Sequence, residues 1–225
     1  MTRQTQELTL NPEIRAFQEQ LLASYAEKNK SVKKGQILFI GSSIMEIFPI
    51  EKWEEAGKVK FDKYIYNRAV RATTTQFILD HIETQIFALA PSKIFINIGT
   101  NDIGFQVPEA TFRANYEQII RLVQEKLPDT EIYILKYYPV NNADFGDDAD
   151  EAQLLATRSN ALFNAASEKN REMAEKLGVK FIDVSAGLYD TQGNLKKEFT
   201  FDGAHILPDG CEVILSNLTP YINSN

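Results

Sequence analysis

One cysteine, Cys211, stands alone in a chain of 225 residues, which excludes internal disulfides and cysteine-cluster zinc sites. Histidine is almost as scarce. His81 and His205 are the two in the chain, so a reaction that needs an imidazole has a short list of candidates. No run approaches the roughly 18 apolar residues that span a bilayer. No glycine-rich phosphate loop of the Walker type occurs either, which argues against nucleotide hydrolysis. The opening stretch MTRQTQELTLNPEIRAF has no apolar segment of the signal-peptide kind, and the expected location is cytoplasmic. Basic clusters are missing as well. The 24 Lys and Arg are dispersed and the net charge is -7, so phosphate backbones and anionic headgroups should repel the molecule. Nucleic acid and membrane insertion are therefore excluded as expected partners.

What is present is a hydrophobic content of 44%, enough for a sizeable core, and no repeat or Pro/Gly/Ser-rich linker that would divide the chain. The expectation is one domain over residues 1–225. Asn11 followed by Pro12 reads as a cap and first helical position, predicting an extra N-terminal helix over about 12–28. Its apolar face carries Phe17, Leu21, Leu22 and Tyr25. That face has two places to go, its own domain or a second subunit of a homodimer, and the sequence leaves both open.

Beyond it come short runs rich in branched and aromatic residues: QILFIG (36–41), KYIYN (63–67), KIFINIG (93–99), EIYILKYY (131–138) and VKFIDV (179–184). Helical patterns lie between them at about 74–89, 109–127 and 152–177, with another after Pro208. Strands apolar on both faces and alternating with helices predict a parallel sheet covered on both sides. The fold class is α/β: a three-layer α/β/α sandwich, flavodoxin-like, with a five-stranded parallel sheet. Ligands of such sheets bind beyond the carboxyl ends of the strands, at the topological switch point. If the strand order is 2-1-3-4-5, Ser43 after the first strand and Asn101 after the third face each other there.

The strand ends carry the residues with chemistry. Ser43 and Glu46 fit the Ser-x-x-Glu capping box, in which serine and glutamate side chains satisfy backbone N–H groups. A serine can also act as a nucleophile if a base takes its proton. His81 lies in a helical pattern, at the edge of a stripe made by Ile78, Ile82, Ile86 and Leu89, and is not expected to be that base. His205 lies in a turn-rich segment three residues after Asp202, a spacing that lets the carboxylate fix the ring's tautomer. Acyl transfer also needs donors for an oxyanion. Asn101 in GTND could supply its side-chain amide, and Ser43 and Ala72 their backbone N–H groups. Arg68 and Arg71 flank the site, either solvated or anchoring a carboxylate or phosphate of the substrate.

Taken together, FIGSSI, NRAVRATTT, INIGTND and DGAHILPDG resemble, in order and spacing, the motif blocks of the SGNH hydrolases, also called GDSL-type esterases and lipases. Closest in appearance is the branch with the platelet-activating factor acetylhydrolase-like proteins. The resemblance runs from about residue 36 to the C-terminus. It implies a flavodoxin-like fold and ester hydrolysis through an acyl-serine, with no metal and no cofactor. Carried over by residue, it makes Ser43 the nucleophile, Asp202 and His205 its partners, and Asn101 an oxyanion donor. Ser42 stands where the family usually has aspartate. The family's second block commonly reads Asn-x-Gly-x-x-Gly, whereas this chain has Ala69 and Ala72 at the glycine positions. Alanine resists positive φ, so a loop that is left-handed in relatives should differ here.

The expected activity is therefore that of a serine esterase acting on small, soluble acyl or acetyl esters. The Ala72 methyl and the lack of a lipid-docking segment favour short acyl groups. The alternatives are acyl transfer to a sugar or alcohol acceptor, and a non-catalytic flavodoxin-like binding module. The acidic segment YYPVNNADFGDDADEAQ (137–153) lacks calcium-loop spacing and reads as a solvated loop on the active-site side of the sheet.

Overall fold

Asn11 Oδ1 accepts the backbone N–H of Glu13 at 2.9 Å and Pro12 takes the first helical position, so helix α1 runs Pro12–Lys28 as predicted. The computed structural model describes residues 11–224. After α1 come β1 (Ile37–Gly41), α2 (Ser43–Glu46), α3 (Ile50–Glu55), β2 (Ile65–Asn67), α4 (Thr75–Asp80), α5 (Ile82–Gln85) and β3 (Lys93–Asn97). The second half supplies α6 (Thr100–Gly104), α7 (Glu109–Lys126), β4 (Glu131–Leu135), α8 (Ala149–Leu155), α9 (Asn160–Leu177), β5 (Lys180–Ile182) and α10 (Pro208–Ile222).

The five strands form one parallel sheet in the order β2-β1-β3-β4-β5, the arrangement assumed from the sequence. Because side chains alternate along a strand, Ile37 and Phe39 of β1 face one layer and Leu38 and Ile40 the other. The first layer joins Phe39, Phe95 and Tyr133 to α2, α3 and α10 through Met45, Trp53 and Ile214. The second joins Leu38, Ile40, Ile94 and Ile96 to α4, α7 and α9 through Ile78, Ile120 and Met173. Every residue of β1 and β3 is buried, which is why those runs are mostly apolar. Among the described residues no helix is long and apolar enough to cross a membrane.

Two helical expectations change. The pattern at 74–89 is broken at His81, which ends α4 with φ -121° and ψ 19°, and a short 3-10 turn, Phe87–Leu89, follows α5. The pattern at 152–177 is two helices. Ser159 caps α9 by accepting the N–H of Leu162 at 3.3 Å, and a serine in that role starts a helix rather than continuing one. The segment 156–159 between them turns toward the carboxyl ends of the strands.

Helix α1 packs on its own domain. Tyr25 donates from Oη to the carbonyl of Ala69 at 2.9 Å, Gln18 donates to the carbonyl of Arg71 at 2.8 Å, and Asn29 donates to the carbonyl of Thr84 at 2.7 Å. All three bonds reach α4, α5 or the loop before them, so the helix braces the second motif block.

β1 and β3 approach closely where β1 ends. A Cβ on Gly41 would lie 2.2 Å from the carbonyl oxygen of Asn97 and 2.7 Å from Cγ of Met45. Gly41→Ala is expected to cost about 1–3 kcal/mol, as overpacked sites do, read as a lower urea midpoint. An unchanged midpoint would mean that the two strand ends separate freely.

Candidate active site

Ser43 follows β1 directly and opens α2. Its Oγ lies 2.9 Å from Nε2 of His205, and Nδ1 of the same ring lies 2.5 Å from Oδ2 of Asp202. Oδ1 of Asp202 accepts the backbone N–H groups of Ala204 at 3.0 Å and His205 at 2.8 Å. Burial pushes the Asp202 carboxyl up, but the ring and the two N–H groups outweigh it and hold the pKa below the ordinary carboxylate value. An ionised carboxylate can only accept, so the proton of neutral His205 sits on Nδ1 and Nε2 is left to accept from the Ser43 hydroxyl. That is the polarity a general base needs.

The capping box expected for Ser43 and Glu46 does not form. Ser42 is the N-cap residue and makes no side-chain cap bond. Ser43 Oγ is engaged with His205, and Glu46 is drawn away by Arg71, whose Nε and Nη2 donate to its two oxygens at 2.5 and 3.0 Å. A charged bidentate partner outcompetes a neutral backbone N–H.

Asn101 sits in α6, just beyond β3. Its Nδ2 donates to the carbonyl of Thr73 at 3.0 Å, and its Oδ1 accepts from Nη2 of Arg158 at 3.1 Å. Gly99 enters that turn with φ 116°, and a Cβ there would strike Oη of Tyr137 at 2.2 Å. Asp102 is fully buried and accepts both the N–H of Thr75, at 3.0 Å, and its hydroxyl, at 2.6 Å. The third motif block is thereby tied to the second. Burial raises the pKa of Asp102, with the Thr75 bonds opposing.

Ala72 keeps a left-handed backbone, φ 56°. Alanine's resistance to positive φ does not keep the residue out of this region; the conformation carries some strain, on the order of 1–2 kcal/mol for a side chain there. Neighbouring bonds hold it there. Thr73 Oγ1 donates to the carbonyl of Val70 at 2.6 Å, and Gln18 takes the carbonyl of Arg71. Asn67 anchors the start of the same block, accepting the N–H of Ala69 at 3.1 Å and donating to the carbonyl of Met45 at 2.6 Å.

The two arginines part company. Arg68 is neither solvated nor at the pocket; it is 1% exposed. Nε donates to Oδ1 of Asn29 at 2.9 Å, and Nη1 to Glu51 at 3.1 Å and the carbonyl of Asn67 at 2.7 Å. Its guanidinium also faces the rings of Tyr25 and Tyr66. Arg68 is therefore corrected from a substrate-binding candidate to a structural post under the second block. Arg71 does line the pocket, lying over the ring of Phe17 with its charge met by Glu46.

Ser43, His205, Asp202, Asn101 and Ala72 all border one cavity of about 550 Å³, within the range of small-molecule sites. Ile47, Phe105, Leu154 and Phe201 supply its apolar walls. Phe201 is 59% exposed and stacks on the His205 ring, with centroids 5.6 Å apart. The acidic segment reaches the cavity through Asp150 of α8, while Asp144, Asp147 and Asp148 are exposed. His81 packs against Phe77 with the rings tilted at 55°, and it does not line the cavity. Arg158, which no motif flags, lies in the cavity wall at 8% exposure.

A doubly covered parallel sheet with these side chains at the switch point is the architecture of the SGNH class. The GDSL-like lipase/acylhydrolase family model matches residues 39–213, most of the chain, and the protein belongs to that family. A solved structure described as a platelet activating factor from Streptococcus pneumonia is 33% identical with a TM-score of 0.82, covering 93% of this chain and 94% of that one. A GDSL-like lipase from Bacteroides thetaiotaomicron shares the fold at 15% identity and TM-score 0.71, covering 89% and 96% of the two chains. An acetylxylan esterase from Geobacillus stearothermophilus shares it at 14% identity and TM-score 0.62, covering 87% and 97%. The N-acylneuraminate cytidylyltransferase of Escherichia coli O18:K1:H7 (strain RS218 / NMEC) is 23% identical over 198 residues, 87% of this chain. The chain spans 42% of that curated relative's length.

Arg68→Ala is expected to destabilise the fold by about 3–5 kcal/mol, because it strands the buried partners of a charged group. Urea denaturation reads the loss. Under conditions where the variant is folded, its KM for any ester should match that of the unsubstituted protein; a large KM rise alone would return Arg68 to the substrate site.

Proposed function

We propose that the protein is a serine acylhydrolase that cleaves small, water-soluble acyl or acetyl esters through an acyl-serine at Ser43. The observation that carries this is the continuous line Ser43 Oγ–His205–Asp202, 2.9 and 2.5 Å per link, opening on the same cavity as the Asn101 amide.

In this reading Ser43 Oγ attacks the ester carbonyl carbon while its proton passes to Nε2 of His205. The carbonyl oxygen becomes an oxyanion. It is met by Nδ2–H of Asn101 and by the backbone N–H groups of Ser43 and Ala72. The first belongs to the first turn of a helix, where N–H groups have no intrahelical partner; the second sits on the left-handed backbone at the cavity wall. Collapse of the intermediate sends the imidazolium proton to the leaving alkoxide. A water molecule, deprotonated by His205, then attacks the acyl-serine, and the proton returns to Ser43. The His205 side chain is 25% exposed, so water reaches the base and favours hydrolysis over transfer.

In this reading the acyl group lies against the Ala72 methyl, Ile47 and Phe105, all of which line the cavity. Short acyl groups suit that space. On the leaving-group side the exposed face of Phe201 offers an apolar platform at the cavity mouth.

Fluorophosphonate labelling followed by peptide mapping tests the nucleophile. The label is expected on Ser43 and not on Ser42, with Ser43→Ala losing both label and turnover. A label on Ser42 would overturn the assignment. Asp202→Asn is expected to lower kcat by about 10⁴, since it removes the charge that fixes the tautomer.

The pH behaviour follows from the Asp202 shift. Its folded pKa is depressed, so its contribution to stability is present above the unfolded value of about 3.9 and is lost only as pH falls below that. The fold should therefore persist, and Asp202 stay ionised beside the His205 ring, until pH falls below about 3.9. Parallel pH profiles of kcat/KM and of circular dichroism check this. Loss of the circular dichroism signal well above about pH 4 would show that the Asp202 carboxylate does not support the fold in this way.

Chain-length preference is read from kcat/KM on p-nitrophenyl acetate, butyrate, octanoate and palmitate. A maximum at acetate or butyrate is expected, and Ala72→Gly should raise butyrate relative to acetate. A maximum at octanoate or beyond would replace the small-ester reading with a lipase.

A further inference from the structure

Arg158 is a buried charge that the triad does not use. It lies on the turn between α8 and α9, and among the described residues it makes no ion pair; its side-chain bonds go to the carbonyl of Leu154, at 2.7 Å from Nη1, and to Oδ1 of Asn101. Burial draws its pKa below the ordinary guanidinium value, with only the field of Asp202 acting against this. Desolvating a guanidinium without a carboxylate partner is costly. A neutral side chain could cap Leu154 with less penalty, so the charge and its fork call for a reason.

The reason lies in the Asn101 amide. An amide can flip by 180°, exchanging its oxygen and nitrogen. Guanidinium can only donate and a backbone carbonyl can only accept. Arg158 on one side, at 3.1 Å, and the Thr73 carbonyl on the other, at 3.0 Å, therefore admit one orientation. A flipped amide would set N–H against N–H and oxygen against oxygen. In the allowed orientation Nδ2 gives one hydrogen to Thr73 and keeps the second for the cavity. A positive charge on Oδ1 also polarises the amide, which strengthens Nδ2–H as a donor.

We infer that Arg158 is a positioning residue for the oxyanion site: it fixes and polarises the Asn101 amide so that the second N–H is presented to the developing oxyanion. This rests on the acylhydrolase reading above. The surrounding structure holds the guanidinium in place. Thr157 Oγ1 donates to the carbonyl of Gly104 at 2.7 Å, joining the turn to α6. The Arg158 carbonyl accepts from Nδ2 of Asn142 at 2.9 Å, and its N–H reaches the carbonyl of Leu155 at 3.1 Å. Gly104 leaves the space: a Cβ there would lie 2.2 Å from Nη2 of Arg158. A group secured by its own set of bonds is what a catalytic amide needs behind it.

The experiment is a double-mutant cycle between Arg158 and Asn101 on p-nitrophenyl acetate, with fluorophosphonate labelling of Ser43 run on every variant and folding checked by circular dichroism. Arg158→Met is expected to lower kcat by about 10–10² with KM changed less than about threefold, because the bond it supports forms in the transition state. Asn101→Ala is expected to lower kcat by about 10²–10³. The double variant should be no more than about threefold slower than Asn101→Ala alone, since without the amide Arg158 has nothing to orient. Arg158→Lys should recover part of the loss. If Arg158→Met does not fold, Arg158→Lys and Arg158→Gln carry the same cycle.

A kcat for Arg158→Met within about twofold of the unsubstituted enzyme overturns the inference, as do a loss confined to KM and multiplicative losses in the double variant. These outcomes leave the labelling of Ser43 intact. An unsubstituted protein that neither turns over the acetate nor takes the label overturns the acylhydrolase reading, and this inference with it.

Discussion

The pairing of β1 with β3 sets the distance across which the site must work. The two strands run in register from Ile37 opposite Lys93 to Gly41 opposite Asn97, and a residue with any side chain at position 41 would hold their ends apart. Because both strands stop together, Ser43 and Asn101 leave the sheet as neighbours. His205 comes from a segment 162 residues away from Ser43 in sequence, and the two meet because parallel strands all deliver their following loops to the same, carboxyl end of the sheet. The order β2-β1-β3-β4-β5 is thus a chemical statement as much as an architectural one.

The residues legible in the sequence are those whose role is set by local spacing. Asp202 and His205 share one turn, in which the carboxylate accepts the backbone N–H of His205 as well as meeting its ring. Gly99 through Asp102 makes a single tight turn out of β3. Such units carry their geometry with them. The misread residues are those whose partners come from far along the chain. Arg68 looks solvated beside its neighbours, but Tyr25 of α1 and Asn29, which caps that helix, close over it. Glu46 looks like a helix-capping glutamate until Arg71 claims it. Arg158 sits inside an apolar pattern that reads as one continuous helix, and Ser159, the residue that breaks it, is a weak signal without the fold around it.

The retained strain at Ala72 shows how the elements outside the sheet contribute. A left-handed alanine is tolerated where its surroundings leave no alternative. Here the constraints come from three directions. Gln18 of α1 binds the carbonyl before Ala72, Asn101 of α6 binds the carbonyl after it, and Thr73 ties its hydroxyl back to Val70. Asp102 then fastens Thr75 to α6. Each of these bonds is made by a buried or half-buried polar group that would be costly to leave unpaired. The loop is over-determined, and the N–H of Ala72 is fixed as a result.

The same logic explains why the buried polar side chains of the second and third blocks find partners. A partly satisfied network in a low-dielectric interior is both unstable and loose. In this protein the buried polar groups of the second and third blocks form one set of bonds: Arg68 to Asn29 and Glu51, Asn67 to Met45, Asp102 to Thr75, and Asn101 between Thr73 and Arg158. Met45 lies in α2, the helix that Ser43 opens. The set therefore extends to the proposed nucleophile's own helix. Helix α1, outside the family core, is part of it, because Asn29 and Tyr25 support Arg68 and Ala69 from below. Stability and site geometry are here two readings of one network, and a change that loosens α1 acts on the active site without touching it.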